Sequence, residues 1–137
     1  MYKASVVIPN YNGEKYIDEC MNALRKQREQ SFEVILVDNA SEDNSIAAFE
    51  AYNDLNIRTI TLDENYGFSR AVNEGIKASE SEYVILLNND THVGKNFVGA
   101  LPPLLPPATC GWLCPMPLPA GAVLSSRPLP ATAAPCR

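Results

Sequence analysis

Asn88, Asn89 and Asp90 stand directly after the apolar run Tyr83–Leu87, and His92 follows close behind. A diphosphate needs its charge neutralised, and a hard divalent cation held by one or two carboxylates does this. Asp90 at a strand end, with asparagine oxygens beside it, suits that task. Asp38 and Asn39 close a second apolar run, Phe32–Val37. A carboxylate there can accept hydrogen bonds from a base or a sugar hydroxyl. A third polar group, Asn10–Tyr11–Asn12, follows the run Ser5–Pro9. Gly67 precedes a segment holding Arg70 and Asn73, and a helix N-terminus behind a glycine can receive an anion. Each feature also has a plainer reading. Asp and Asn make Asx-turns and helix caps, and a lone glycine serves any loop. Spacing alone leaves both readings open.

The elements that must position these residues follow from hydrophobic periodicity. Ser5–Pro9, Phe32–Ser41, Ile57–Leu62 and Glu82–Leu87 read as strands. Tyr16, Ile17, Cys20, Met21 and Leu24 recur at helical spacing, which predicts an amphipathic helix from Glu14 to about Gln27. Ser41–Leu55 reads as a second helix with Ser41 or Asp43 as N-cap, and Gly67–Ser79 as a third. Such alternation builds a mostly parallel sheet with helices on both faces. Ligands of open α/β sheets bind beyond the carboxyl ends of the strands. The three polar clusters are therefore expected on one rim.

The chain has 137 residues, enough for one domain or less. Its net charge of -5 argues against a nucleic-acid partner, which calls for a basic stripe. The average hides a break. All 16 acidic residues lie at or before Asp90, and all but one of the 11 prolines lie after Gly99. Beyond Gly99 the only charges are Arg127 and Arg137. Residues 1–98 therefore read as the folded unit. Residues 99–137 read as an irregular, Pro-rich C-terminal tail, of composition unrelated to what precedes it. No signal-peptide core and no apolar run of about 18 residues is visible. Cys20 is the sole cysteine of the first unit, which suggests a reducing compartment. Cys110, Cys114 and Cys136 lack zinc-site spacing. No GxGxxG, Walker loop or GxSxG occurs, and a single histidine argues against a hydrolase triad.

Four segments occur in order: SVVIPNYNGEKYIDECMNAL, FEVILVDNASEDNS, ENYGFSRAVNEGI and EYVILLNNDTHV. Together they resemble the family 2 glycosyltransferases of GT-A fold, especially the rhamnosyltransferase-like branch, from about Ala4 to Val98. The resemblance implies an α/β, Rossmann-like GT-A sheet, here incomplete, as the nucleotide-sugar-binding half of an inverting transferase. It implies a nucleotide site at Pro9, Tyr11, Asn12, Asp38, Asn39, Gly67 and Asn73. It implies a diphosphate and cation site, for Mg²⁺ or Mn²⁺, at Asn88, Asn89 and Asp90. Many members read Ala–Arg–Asn–x–Gly in the third helix, where this chain has Ala71–Val72–Asn73–Glu74–Gly75. Arg70 lies about 200° around the helix from Val72, so it is not expected to replace that arginine. The donor implied is a UDP- or dTDP-sugar, and the acceptor a glycan or lipid-linked hydroxyl. The expected setting is cytoplasmic, with peripheral contact at the inner membrane face. The family's catalytic base comes from an acceptor-binding half that follows. This chain has no Asp or Glu after Asp90, so no catalytic base is expected in it. Nucleotide binding without catalysis, or a non-functional product with an open sheet edge, are the alternatives.

Overall fold

Aliphatic runs without polar interruption are stable as strands only where both sheet faces are covered. The computed structural model describes residues 2–100 and the backbone of residues 122–126. In it, four such runs lie parallel: β1 (Ala4–Asn10), β2 (Phe32–Asp38), β3 (Ile57–Thr61) and β4 (Tyr83–Leu87). A fifth strand, β5 (Ala122–Ser126), pairs antiparallel with β4, and the order is β3-β2-β1-β4-β5. Every residue of β1 and β2 is buried. The helices are α1 (Glu14–Arg25), α2 (Ser45–Glu50), α3 (Phe68–Ala78) and the short α4 (Phe97–Ala100).

The alternation of side chains along a strand divides the core in two. Val6, Ile8, Val34, Leu36, Ile85 and Leu87 pack with Ile17, Cys20, Met21 and Leu24 of α1 and Phe49 of α2. Their neighbours Val7, Ile35, Val37 and Val84 face the other way and pack with Ala71 of α3. Burying each large side chain contributes about 1.5–3 kcal/mol, so the first face supplies most of the stabilisation. Val93 and Val98 join that first face. Gln27, at the end of α1, donates to Gly94 O at 2.7 Å and accepts from Val98 N at 3.0 Å. The chain after Asp90 is thereby tied to α1.

The smaller face ends in a polar plug at the amino end of the sheet. Glu33 is buried, accepts Ser5 Oγ at 2.5 Å and pairs with Arg58 Nη2 at 2.8 Å. Ser79 and Ser81, just past α3, lie 2.7 and 2.8 Å from the same Ser5 hydroxyl. Every polar atom there has a partner, as burial requires.

Several expectations are corrected. Helix α2 begins four residues late and stops at Glu50. Its expected N-cap residues work in the loop instead: Ser41 bonds back to Asp38, and Asp43 Oδ1 accepts Ser45 N at 3.0 Å. The tail expected to be irregular contains β5. The reason is a proline-free window between Pro119 and Pro128 that holds the apolar Ala122–Leu124. The edge of β4, expected open, is therefore occupied, and the open edge among the described strands is β3. The rest of 101–137, with Cys110, Cys114 and Cys136, lies outside the described residues. No helix among the described residues is long and apolar enough to cross a membrane.

Helix α3 comes so close to the sheet that a β-carbon on Gly75 would lie 2.3 Å from Val7 Cγ1 and 3.0 Å from Val37 Cγ2. Alanine would gain about 1 kcal/mol in helix propensity but force apart two stiff β-branched side chains, at about 1–3 kcal/mol. Gly75→Ala is expected to lower the urea midpoint, and an unchanged or higher midpoint contradicts this packing. Burial pushes the Cys20 thiol up to about 12, and the charges of Asp90 and Glu19 push the same way. Alkylation at pH 8 followed by peptide mapping is expected to leave Cys20 unmodified until denaturant unfolds the chain; rapid labelling of native protein contradicts its burial.

Candidate functional site

Adjacent parallel strands in register bring their last residues side by side, and here Asn10 of β1 is paired with Asp38 of β2. Both are buried, so their polar atoms must find partners within the protein. Asn10 Nδ2 donates to Asp38 Oδ1 at 2.7 Å and also lies 2.8 Å from Ser45 Oγ and 3.2 Å from Ser41 Oγ. Asp38 accepts further from Ser41 Oγ at 2.6 Å and Ser41 N at 2.9 Å. On its other side, Asn10 Oδ1 accepts from Asn89 Nδ2 at 2.8 Å. The structure thus joins the three polar clusters through one asparagine side chain.

Asn12 closes the rim above this network. It has φ 48°, a left-handed conformation that asparagine tolerates. Its N–H donates to Ser41 Oγ and its Oδ1 accepts from Glu42 N, each at 2.9 Å. The loop after β1 is thereby stapled to the loop after β2. Asp43 strengthens the staple by accepting Glu14 N at 2.9 Å and Ser45 Oγ. Burial alone would raise the Asp43 carboxyl, but these bonds outweigh it and hold the group below its ordinary value.

Asn39 reaches the other way. Its Nδ2 donates to Asn65 Oδ1 at 2.9 Å and its Oδ1 accepts from Tyr66 N at 3.0 Å. Gly67 follows at φ 84°, in the region that favours glycine, and lets the chain turn into α3. Between these loops lies a cavity of about 290 Å³. Pro9, Asn10 and Tyr11 form one wall, Asn39 and Asn65 the floor of polar groups, and Gly67, Phe68 and Ala71 the other wall. Tyr11 and Phe68 are 50% and 55% exposed, so two aromatic faces stand open at the mouth.

Of the nucleotide residues expected from the sequence, Pro9, Tyr11, Asn39 and Gly67 line this cavity. Asn12 and Asp38 lie behind its walls and shape them. Asn73 is an exposed position of α3 and is not among the lining residues. Arg70 lies over the Tyr66 ring, 4.4 Å from its centroid, which carries its charge to the loop before α3. Asn10, Asn65, Phe68 and Ala71 were not singled out by the sequence reading. Only Asn10, adjoining Pro9 at a strand end, carried a signal that could have found it.

Asp90 is exposed in the turn after β4, closed by Thr91 N donating to Asn88 O at 3.1 Å. Asn88 is half-buried beside it, while the Asn89 amide nitrogen is committed to Asn10. His92 Nδ1 lies 3.5 Å from Glu19 Oε1 on the surface. Among the described residues no three His, Cys, Asp or Glu side chains are grouped as an all-protein metal cage. One free carboxylate with amide oxygens fits a cation held largely by the phosphates of its own ligand.

Comparisons with known proteins agree with this geometry. Over 99 residues the chain is 38% identical to poly(ribitol-phosphate) beta-N-acetylglucosaminyltransferase TarS of Staphylococcus aureus, spanning 69% of this chain and 17% of TarS. It is 36% identical over 99 residues to glycosyltransferase GlyG of Streptococcus pneumoniae, spanning 71% of this chain and 33% of GlyG. The crystal structure of S. aureus TarS 1–349 in complex with UDP matches with a TM-score of 0.68 at 37% identity, over 71% of this chain and 30% of that one. The mannosyltransferase PcManGT from Pyrobaculum calidifontis, in complex with GDP-Man and Mn²⁺, matches with a TM-score of 0.61 at 26% identity, over 64% and 27% of the two chains. The chain thus spans a third or less of the length of each of these proteins. The family described as glycosyl transferase family 2 matches residues 5–105, the stretch that builds the parallel sheet and its polar rim, and this chain belongs to that family.

Proposed function

We propose that this chain binds the nucleotide-diphospho-sugar donor of an inverting glycosyltransferase. The observation that carries the reading is the cavity at the carboxyl rim, whose lining residue Asn10 is bonded to the residue preceding Asp90. Tyr11 and Phe68 offer flat apolar faces to a base, and Asn39 and Asn65 offer amide groups to its polar edge or to the ribose. The UDP of the TarS complex and the GDP-Man and Mn²⁺ of the PcManGT complex support a donor of this class. We assign a UDP- or dTDP-sugar here.

Asp90, with Asn88 beside it, would hold Mg²⁺ or Mn²⁺. The ion, when bound, neutralises the diphosphate as it becomes the leaving group. The chain's own residues then bind and orient: the aromatic walls exclude water from the base, and the turn at Asn88–Asp90 sets where the phosphates lie. Deprotonation of the acceptor hydroxyl needs a carboxylate within hydrogen-bond reach, and none follows Asp90 in this sequence. Donor binding is therefore the role assigned to these residues. A glycan or lipid-linked acceptor and a cytoplasmic setting complete the reading; the buried, unpaired Cys20 suits a reducing compartment.

A thermal melt of the purified chain with Mn²⁺ and UDP or dTDP tests this. Ligand at about 100 times its Kd adds about 2.7 kcal/mol of stability, a rise of several degrees for a unit of this size. Asp90→Ala is expected to abolish the metal-dependent part of the rise. A wild-type melting temperature that no nucleotide moves in the presence of Mn²⁺ would overturn the proposal.

A further inference from the structure

Asn89 stands in the middle of the turn that carries Asp90, yet its amide points into the fold. Its Nδ2 donates to Asn10 Oδ1 at 2.8 Å. The direction of this bond is imposed from the far side. Asn10 must present its nitrogen to the Asp38 carboxylate, so its oxygen faces Asn89, and Asn89 must donate. The space beneath the bond is also reserved. A β-carbon on Gly13 would lie 2.1 Å from Asn89 Nδ2 and 2.3 Å from Asn10 Oδ1, the two atoms of the bond. Gly13 has φ -102°, which any residue adopts, so glycine serves here for room and not for backbone freedom. Asn10 in turn lines the nucleotide cavity.

We infer that the Asn89–Asn10 bond, with the room Gly13 leaves for it, is a positioning device. It sets the Asp90 turn at a fixed place relative to the nucleotide cavity and so couples cation binding to nucleotide binding. Asn89 is a positioning residue and not a cation ligand. The inference rests on the donor-site reading above.

The two roles predict opposite signs for one substitution. Asn89→Asp keeps the shape but sets an acceptor against the Asn10 oxygen. A ligand at this position would bind a divalent cation at least as well with the added charge. The test uses the full 137-residue chain. Free Mn²⁺ is followed by its electron paramagnetic resonance signal during titration in saturating UDP. UDP affinity is measured separately in EDTA by calorimetry. Asn89→Ala and Asn89→Asp are each expected to weaken Mn²⁺ binding about tenfold, the usual scale for residues that orient a ligand, and to leave metal-free UDP affinity near wild type. Gly13→Ala removes the same bond by crowding, so it is expected to weaken Mn²⁺ binding too, and to add little on top of Asn89→Ala. Tighter or unchanged Mn²⁺ binding in Asn89→Asp overturns the inference. So does an equal loss of metal-free UDP affinity, which would mark the bond as merely structural. Wild-type protein that binds no UDP with Mn²⁺ overturns the donor-site reading and this inference together; wild-type binding with wild-type-like variants overturns this inference alone.

Discussion

A buried amide must have its hydrogen bonds made for it, and the side chain of Asn10 meets that demand by drawing three loops together. Its nitrogen is taken by Asp38 and the serines that follow β2, and its oxygen by Asn89 after β4. Leaving any one of these partners unpaired would cost about 1–3 kcal/mol, a large share of the stability of a small domain. The rim is therefore held by polar satisfaction, while the strands beneath it are held by apolar burial. The same network shapes the cavity and places the Asp90 turn, so the site inherits its geometry from a structural necessity.

The strands were legible because burial on both faces demands long aliphatic runs, and runs such as Val34–Val37 leave little alternative. The amphipathic first helix was legible from the spacing of Ile17, Cys20, Met21 and Leu24. The limits of α2 were not. Ser41, Asp43 and Ser45 are all good caps, and which of them bonds the helix and which the preceding turn depends on Asn10 and Glu14, distant in sequence. Strand β5 was hidden by the proline density around it; a short proline-free window suffices for an edge strand.

In the site, residue types were legible and orientations were not. Asp38 and Asn89 look from the sequence like groups offered to a ligand, but both are turned inward, toward Asn10. A strand end gives no sign of which polar side chain will face the crevice and which will satisfy its neighbour. Gly13 in a Tyr–Asn–Gly sequence reads as a turn glycine, whereas its use is to leave space. Phe68 and Ala71 became wall residues only because α3 packs where Gly75 lets it approach the sheet.

The unequal faces of the sheet have a dynamic consequence. Helix α1 and the segments around it are anchored by many large buried side chains, whereas α3 is anchored by Ala71, the absent side chain of Gly75 and a small patch of valine and isoleucine. Local opening costs least where the fewest apolar contacts must be broken. Amide hydrogens of α3 should therefore exchange with solvent earlier than those of α1, through motions that leave the rest of the sheet closed. One wall of the cavity is carried by the loosest helix of the fold and the opposite wall by its central strand, so ligands that enter meet one yielding side and one fixed side.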